Sequence, residues 1–300
     1  MALFYCTIIR SLSQNPKTKK ERQTVMKTSV ICFCLGFLLS TAQASDVQEV
    51  YDAHIAWKTA SEQASLPAVD AIWTHAPDAM LITLFGVQIK GWLEVRQEIK
   101  RAFNLVGKTT ITVSNLVITV SGEAASATSD YRWSPIPDLP LKATERYRLE
   151  GGRWKMHAQD ATGGLEPLRP DDETCLRQKV QQTQAALLGK DLNALMGLIA
   201  DAFTYIALDG TVHRTFEKAA IGKDVENIRE LRLKVIYLTD TAATAHYSLT
   251  PVNFDDREIE LVYNNDWQLT QVNFKPEAES FAVEPSGKRS TTWGQVKEEK

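Results

Sequence analysis

The feature that most constrains this chain is that its second half follows the order of its first. Leu66-Pro67-Ala68-Val69 through Ile72-Trp73 is matched by Leu192-Asn193-Ala194-Leu195 through Leu198-Ile199, and Gly86 is matched by Gly210. Val120-Ser121-Gly122-Glu123-Ala124-Ala125-Ser126-Ala127 parallels Leu238-Thr239-Asp240-Thr241-Ala242-Ala243-Thr244-Ala245, and Trp154-Lys155-Met156 parallels Trp267-Gln268-Leu269. A period of this kind predicts one fold written twice, so the architecture has to be read one unit at a time.

Each unit reads as helices followed by strands. Val47, Val50, Tyr51 and His54 recur at helical spacing. Ser65 and Pro67 open a second helix, and a third follows Gly91 with Val95, Ile99 and Phe103 on one face. After Gly107 the period changes: Thr109 to Val120, Ala125 to Trp133, Leu141 to Glu150 and Arg153 to Asp160 read as strands, the last two joined by Gly151-Gly152 as a tight hairpin turn. In the second unit Leu176, Val180, Thr183 and Leu187 mark a helix and Asp191 caps the next. A weaker third helix is expected near Phe216 to Ile228. Strands are expected over Leu231 to Tyr237, Ala242 to Thr250, Glu258 to Tyr263 and Trp267 to Phe274. The fold class this predicts is α+β: two tandem cone-shaped domains, 45–165 and 171–275, each with N-terminal helices on a curved antiparallel sheet. The short Gly/Pro linker at 163–170 suggests that the two pack sheet to sheet as an internal pseudo-dimer.

The ends read differently. Met26-Lys27-Thr28, the apolar run Val30 to Leu39 and Ala42-Gln43-Ala44 make a secretory signal peptide over 26–44, too short for a membrane span. Residues 1–25 fit either a long n-region or an upstream start chosen in error, and the second is favoured because Met26 alone opens a complete signal. A lipid-anchored form would need a cysteine at the end of the apolar run, and Cys32 and Cys34 sit in its middle, so no membrane anchor is expected. The expected location is periplasmic or secreted, and the polar stretch 276–300 is expected to be a disordered tail. Removing 1–44 takes six of 34 basic and one of 37 acidic residues, leaving 28 against 36, or −8. That balance argues against a nucleic-acid partner. Cys175 alone remains in the exported chain, so no internal disulfide is possible, and it is expected to be a half-buried, inert thiol.

Several of these stretches together resemble the nuclear transport factor 2-like superfamily, and within it the SnoaL-like and ketosteroid-isomerase-like domains. They are Val69-Asp70-Ala71-Ile72-Trp73, Asp78-Ala79 with a short strand to Gly86, Gly91 leading into Val95-Arg96-Gln97-Glu98-Ile99, and Gly151-Gly152-Arg153-Trp154-Lys155-Met156. The resemblance implies a sheet wrapped round helices to enclose a pocket, used in some members for isomerase, dehydratase or cyclase chemistry and in many for binding or dimerisation. It also implies that the isomerase base would fall at Thr83 in the first unit and Ala207 in the second, and neither side chain can act as a base. A histidine expected near the end of the last strand is replaced by Ala158.

The remaining candidates follow from the pleat. A two-residue turn pairs Leu149 with Trp154, Tyr147 with Met156 and Glu145 with Ala158, leaving Asp160 diagonal to Glu145 on the inward face. Two carboxylates so placed would split their pKa values into an acid and a base. Alternatively, Asp160 sits on a solvated rim and Glu145 pairs with an arginine. Tyr51 and His54 are further ligand-binding candidates, equally readable as core residues with one satisfied polar tip. Trp57, Trp73 and Trp92 read as core. Arg132, Arg146 and Arg148 read as an outer face. The second unit offers Tyr205, Tyr247, Gln271 and Asn273 as inward polar groups with no inward carboxylate. No metal-ligand spacing, P-loop, dinucleotide fingerprint or nucleophile elbow occurs, so neither metal nor cofactor is expected. Three functional readings stand: a non-catalytic protein binding a small apolar or amphipathic molecule, an isomerase or lyase of a carbonyl compound using Glu145 and Asp160, and a protein-interaction scaffold with closed pockets.

Overall fold

The computed structural model describes residues 45–134, 136–252 and 256–276, with side chains other than those of 136–140, 275 and 276. Residues 1–44, with the stretch expected to be a signal peptide, and the polar C-terminal stretch beyond 276 lie outside the described residues. The first half contains helix α1 (45–62), α2 (Leu66–Ile72), strands β1 (Met80–Ile82) and β2 (Gln88–Lys90), α3 (Trp92–Val106), then β3 (Thr110–Ser121), β4 (Ala124–Ser134), β5 (Ile136–Glu150) and β6 (Arg153–Asp160). The second half follows with α4 (Pro170–Leu188), α5 (Leu192–Met196), β7 (Ile199–Ile206), β8 (Val212–His213) and α6 (Lys218–Glu226). Four long strands complete it: β9 (Ile228–Leu238), β10 (Ala243–Pro251), β11 (Arg257–Tyr263) and β12 (Leu269–Pro276). The protein is α+β.

Local chemistry sets these boundaries where the sequence carries a signal. Gly151 and Gly152 both have positive φ, 58° and 77°, the conformation a two-residue I′ hairpin needs and one that costs a side-chain-bearing residue strain. Asp191 accepts hydrogen bonds from the Asn193 and Ala194 amides at 3.0 and 2.9 Å, capping α5. Ser65, at the equivalent place before α2, makes no side-chain cap bond.

All twelve strands belong to one sheet in the order β2-β1-β6-β5-β4-β3-β9-β10-β11-β12-β7-β8. Read inward from either edge, the halves have the same order. Each closes its edge with a parallel pairing, β1 with β6 and β7 with β12. The halves do not pack sheet to sheet as the linker suggested. They join edge to edge, β3 running parallel to β9 with Leu116 opposite Val235 and Thr119 opposite Leu238.

Parallel pairing at the seam turns the two sheet faces over relative to each other, so both faces of the seam strands are covered. Leu116, Ile118 and Val120 enter the first core while their neighbour Val117 enters the second. On β9, Ile236 and Leu238 enter the second core while Val235 enters the first. This explains the unbroken apolar runs at 116–118 and 235–238, where a half-exposed strand would alternate. Helix α4 reinforces the seam from the second half: Arg177 donates to the Asn115 carbonyl at 2.8 Å and to the Thr128 hydroxyl at 3.0 Å, with Glu173 also bonded to Thr128. Cys175, on the same helix, is exposed rather than half-buried, because the apolar face of α4 runs through Leu176, Val180 and Leu187.

Candidate functional site

Between α1, α3 and the concave side of the first-half sheet lies a cavity of about 690 Å³. Its walls include Trp57 and Ser61 of α1, Ile99 and Phe103 of α3, and Ile111, Tyr131, Trp133, Leu141 and Ala143 of the long strands. The β1–β2 turn, Thr83 to Val87, and the C-terminal end of α3 form its mouth. Trp57, Trp73 and Trp92 pack under it as a core cluster, ring centroids 5.8 and 6.1 Å apart in succession.

Beside the cavity is a buried polar cluster. Glu145, 1% exposed, receives His54 Nδ1 on Oε2 at 2.8 Å and the Tyr131 hydroxyl on Oε1 at 2.7 Å, and the Tyr147 hydroxyl also donates to Oε2. Burial alone would raise the Glu145 pKa. The His54 charge and the three donated hydrogen bonds outweigh it and hold the carboxyl below its ordinary value. The same burial, with the carboxylate alongside, pushes both tyrosine hydroxyls well above theirs. Tyr131 contributes its ring to the cavity wall while its hydroxyl is held by Glu145. His54 Nε2 and Ser61 Oγ are buried without hydrogen-bond partners among the described residues.

The pairing of Glu145 with Asp160 does not form. A β-bulge at His157 shifts the register: Tyr147 still faces Met156, but Arg146 faces Ala158 and Glu145 faces Gln159. One inserted residue flips every side chain beyond it, so Gln159 reaches the cavity and Asp160 turns to the other face. There Asp160 accepts from the Thr162 amide and hydroxyl, each at 2.7 Å, and from the Leu165 amide, fastening the start of the linker. Thr83 lies at the mouth, where its hydroxyl accepts from the Val87 amide at 3.3 Å. Tyr51 points to the seam, edge-on to Tyr237 of the second half with centroids 6.4 Å apart. The structure therefore brings His54 and Glu145 together, leaves Thr83 at the entrance, and separates Tyr51 and Asp160 from both. Tyr131, Gln159 and Ser61 are the residues pattern reading passed over. Strand alternation from Trp133 would have found Tyr131.

On the outer face Arg148 bonds Asp78 at 2.9 Å and also Glu150, and Arg146 bonds the Glu166 carbonyl at 2.7 Å. In the second half an inward carboxylate does occur, supplied by α6: Asp224 accepts the Tyr205 hydroxyl and, at 3.1 Å, the Leu208 amide. The strand pattern could not show it because it comes from a helix. Among the described residues no group of three or more His, Cys, Asp or Glu could hold a metal, and no helix is long and apolar enough to cross a membrane.

Helices laid on a curved sheet around an apolar cavity define the first half as a cone-shaped α+β pocket domain. Residues 48–161 match the family profile of the SnoaL-like domain. Among solved structures, similarity is found to a dehydratase candidate of the nuclear transport factor 2-like family from Streptomyces avermitilis (18% identity, 40% of this chain and 97% of that one, TM-score 0.37). A nuclear transport factor 2-like protein of unknown function from Pseudomonas putida is also similar (20% identity, 39% and 86%, TM-score 0.36). So is a superfamily protein from Salmonella enterica (16% identity, 41% and 94%, TM-score 0.36). No curated protein matches the chain.

Proposed function

We propose that this is an exported, non-catalytic protein whose first half binds a small apolar or amphipathic molecule in the cavity and whose second half serves as its structural partner. The observation that carries this reading is the cavity, about 690 Å³ and walled mainly by aliphatic and aromatic side chains with few polar groups. That is the size and character of a small-molecule site. Neither candidate carboxylate is part of the wall: Glu145 stands behind it and accepts three donors, and Asp160 is on the opposite sheet face. A general base must come within reach of a substrate proton, and neither carboxylate lines the cavity in which a substrate would sit.

The test has two parts. Mass spectrometry of the natively purified protein should release a bound apolar compound. Titration with a fluorescent amphiphile such as 11-(dansylamino)undecanoic acid should saturate at one site, and Ala143→Ile, which adds volume to the cavity wall, should weaken it about tenfold or more. Absence of saturable binding defeats the reading. So does turnover of a 3-keto steroid that disappears in Glu145→Gln, which would return the isomerase reading.

A further inference from the structure

We infer that the ligand of the first-half cavity is uncharged and carries a hydroxyl or carbonyl oxygen, which hydrogen-bonds the side-chain amide of Gln159 while its apolar remainder fills the hollow. The inference rests on the cavity being a binding site and names what that site selects. Its ground is the polar content of an otherwise apolar wall. Gln159 of β6 lines the cavity from the sheet side and Ser61 of α1 from the helix side. No hydrogen bond engages the Gln159 side-chain amide among the described residues, and Ser61 Oγ is buried without a partner there. On the same helix the Thr59 hydroxyl turns back to the Ile55 carbonyl at 2.9 Å, a bond that Ser61 does not make. An amide that brings donors and an acceptor to an apolar hollow is costly until something pairs with it.

The second half supplies a control. Gln159 faces Glu145 on β5 and Leu81 on β1, and Val272 takes the same place in the other half, facing Leu261 on β11 and Tyr205 on β7. Both positions follow a bulge, so the backbone reaches them in the same way. Leu187 likewise holds the helix position of Ser61. Val272 and Leu187 are both buried in the second core. Neither the strand nor the helix requires a polar side chain there. Polar groups stand at both positions only in the half that has a cavity to receive an occupant.

Charge narrows the ligand further. The charged residues bordering the cavity are Glu98 and Arg101 of α3, paired with each other at 2.7 Å. Glu145, the neighbour of Gln159 on β5, is held below its ordinary pKa and so carries a negative charge. A carboxylate or phosphate brought to Gln159 would meet that charge with no unpaired cation on the described wall. An ammonium group would find Glu145 already accepting three donors. Taking an unpaired charge out of water costs far more than taking an uncharged oxygen, and the amide can donate to a carbonyl or both donate to and accept from a hydroxyl.

Competition of 1-decanol, 1-chlorodecane and decanoate against bound 11-(dansylamino)undecanoic acid tests this, at about pH 8 so that the acid is ionised. Each affinity is corrected for that of the probe in the same variant. Gln159→Met keeps the length of the side chain and removes its amide. It should weaken 1-decanol by about three- to tenfold, the worth of one hydrogen bond, and change 1-chlorodecane and decanoate by less than about twofold. Ser61→Ala should act in the same direction by about twofold and melt at or above the parent's temperature, since it removes an unpaired buried hydroxyl. It carries the test alone if Gln159→Met does not fold. Equal weakening of 1-decanol and 1-chlorodecane, or no change in 1-decanol, overturns the inference while saturable probe binding leaves the cavity reading standing. Decanoate weakened as much as 1-decanol also overturns it, in favour of an anionic ligand. If the probe does not bind saturably, the cavity reading fails and this inference with it.

Discussion

Glu145 in the first half and Leu261 in the second occupy the same place in the sheet: each is paired with an alanine of the preceding strand, Ala127 and Ala245. Around Glu145 stand His54, Tyr131 and Tyr147. Around Leu261 the same register and helix positions hold Val180, Leu249 and Tyr263, every one of them buried. The cavity wall differs in the same sense. Ser61 and Ala143, which leave the first cavity open, correspond to Leu187 and Ile259, which are 1 and 0% exposed in the second core. Even the bulge is shared, at His157 in β6 and Thr270 in β12. One backbone plan thus supports a hollow with a buried polar cluster beside it and also an apolar core. A few side chains decide which.

The comparison is broken most forcefully at the buried cluster. Glu145→Leu leaves His54 and two tyrosine hydroxyls without their acceptor and should destabilise the protein by about 3–5 kcal/mol in urea unfolding. His54→Val/Glu145→Leu, the second half's pair, should recover part of that loss, since the unpaired imidazole is gone. If the double variant is no more stable than Glu145→Leu alone, the cluster is not a coupled unit. The pH dependence follows from the sign of the shift. Glu145 is held below its ordinary value of 4.5, so it contributes stability that is fully present above that pH and is lost as pH falls through the folded value. The parent should therefore lose more stability than the double variant on acidification below about pH 4.5, and parallel curves would exclude Glu145 as the source.

The filling of the two cores gives the next effect. Ile259→Ala should cost about 2–5 kcal/mol because it empties packed volume. The reverse change, Ala143→Ile, grows into the open cavity and should cost under about 1.5 kcal/mol while reducing ligand binding. Similar costs for the two would mean that the first cavity collapses in solution. The smallest effect concerns capping: Asp191→Ala should cost about 1 kcal/mol through the lost bonds to α5, and Ser65→Ala close to nothing. Thermal melts of the two single variants distinguish them.

Most of the elements were legible because their signals are local. The apolar period of α3, the alternation in β4 and β6, the Gly151-Gly152 turn and the Asp191 cap each depend on residues within a few positions of one another. The candidate site was legible only in part. His54 and Glu145 stood out as polar residues on apolar faces, but their contact spans 91 positions of sequence and no periodicity records it. Asp160 was misplaced because strict alternation was carried through His157, and nothing in His157 itself announces a bulge. Asp224 was missed because a strand-by-strand reading does not see a carboxylate arriving from a helix.

The order of helices and strands, their repetition in two halves and the residues available to each core were determined by the sequence itself, since they follow from backbone preference and side-chain period. The joining of the halves edge to edge at β3 and β9, the faces reached by Asp160 and Gln159, and the survival of a cavity in one half were decided only in the tertiary structure. Each of these depends on which strand pairs with which and in what register, and on the summed volume of side chains meeting from distant positions. Both are properties of contacts, and contacts exist only once the chain has folded.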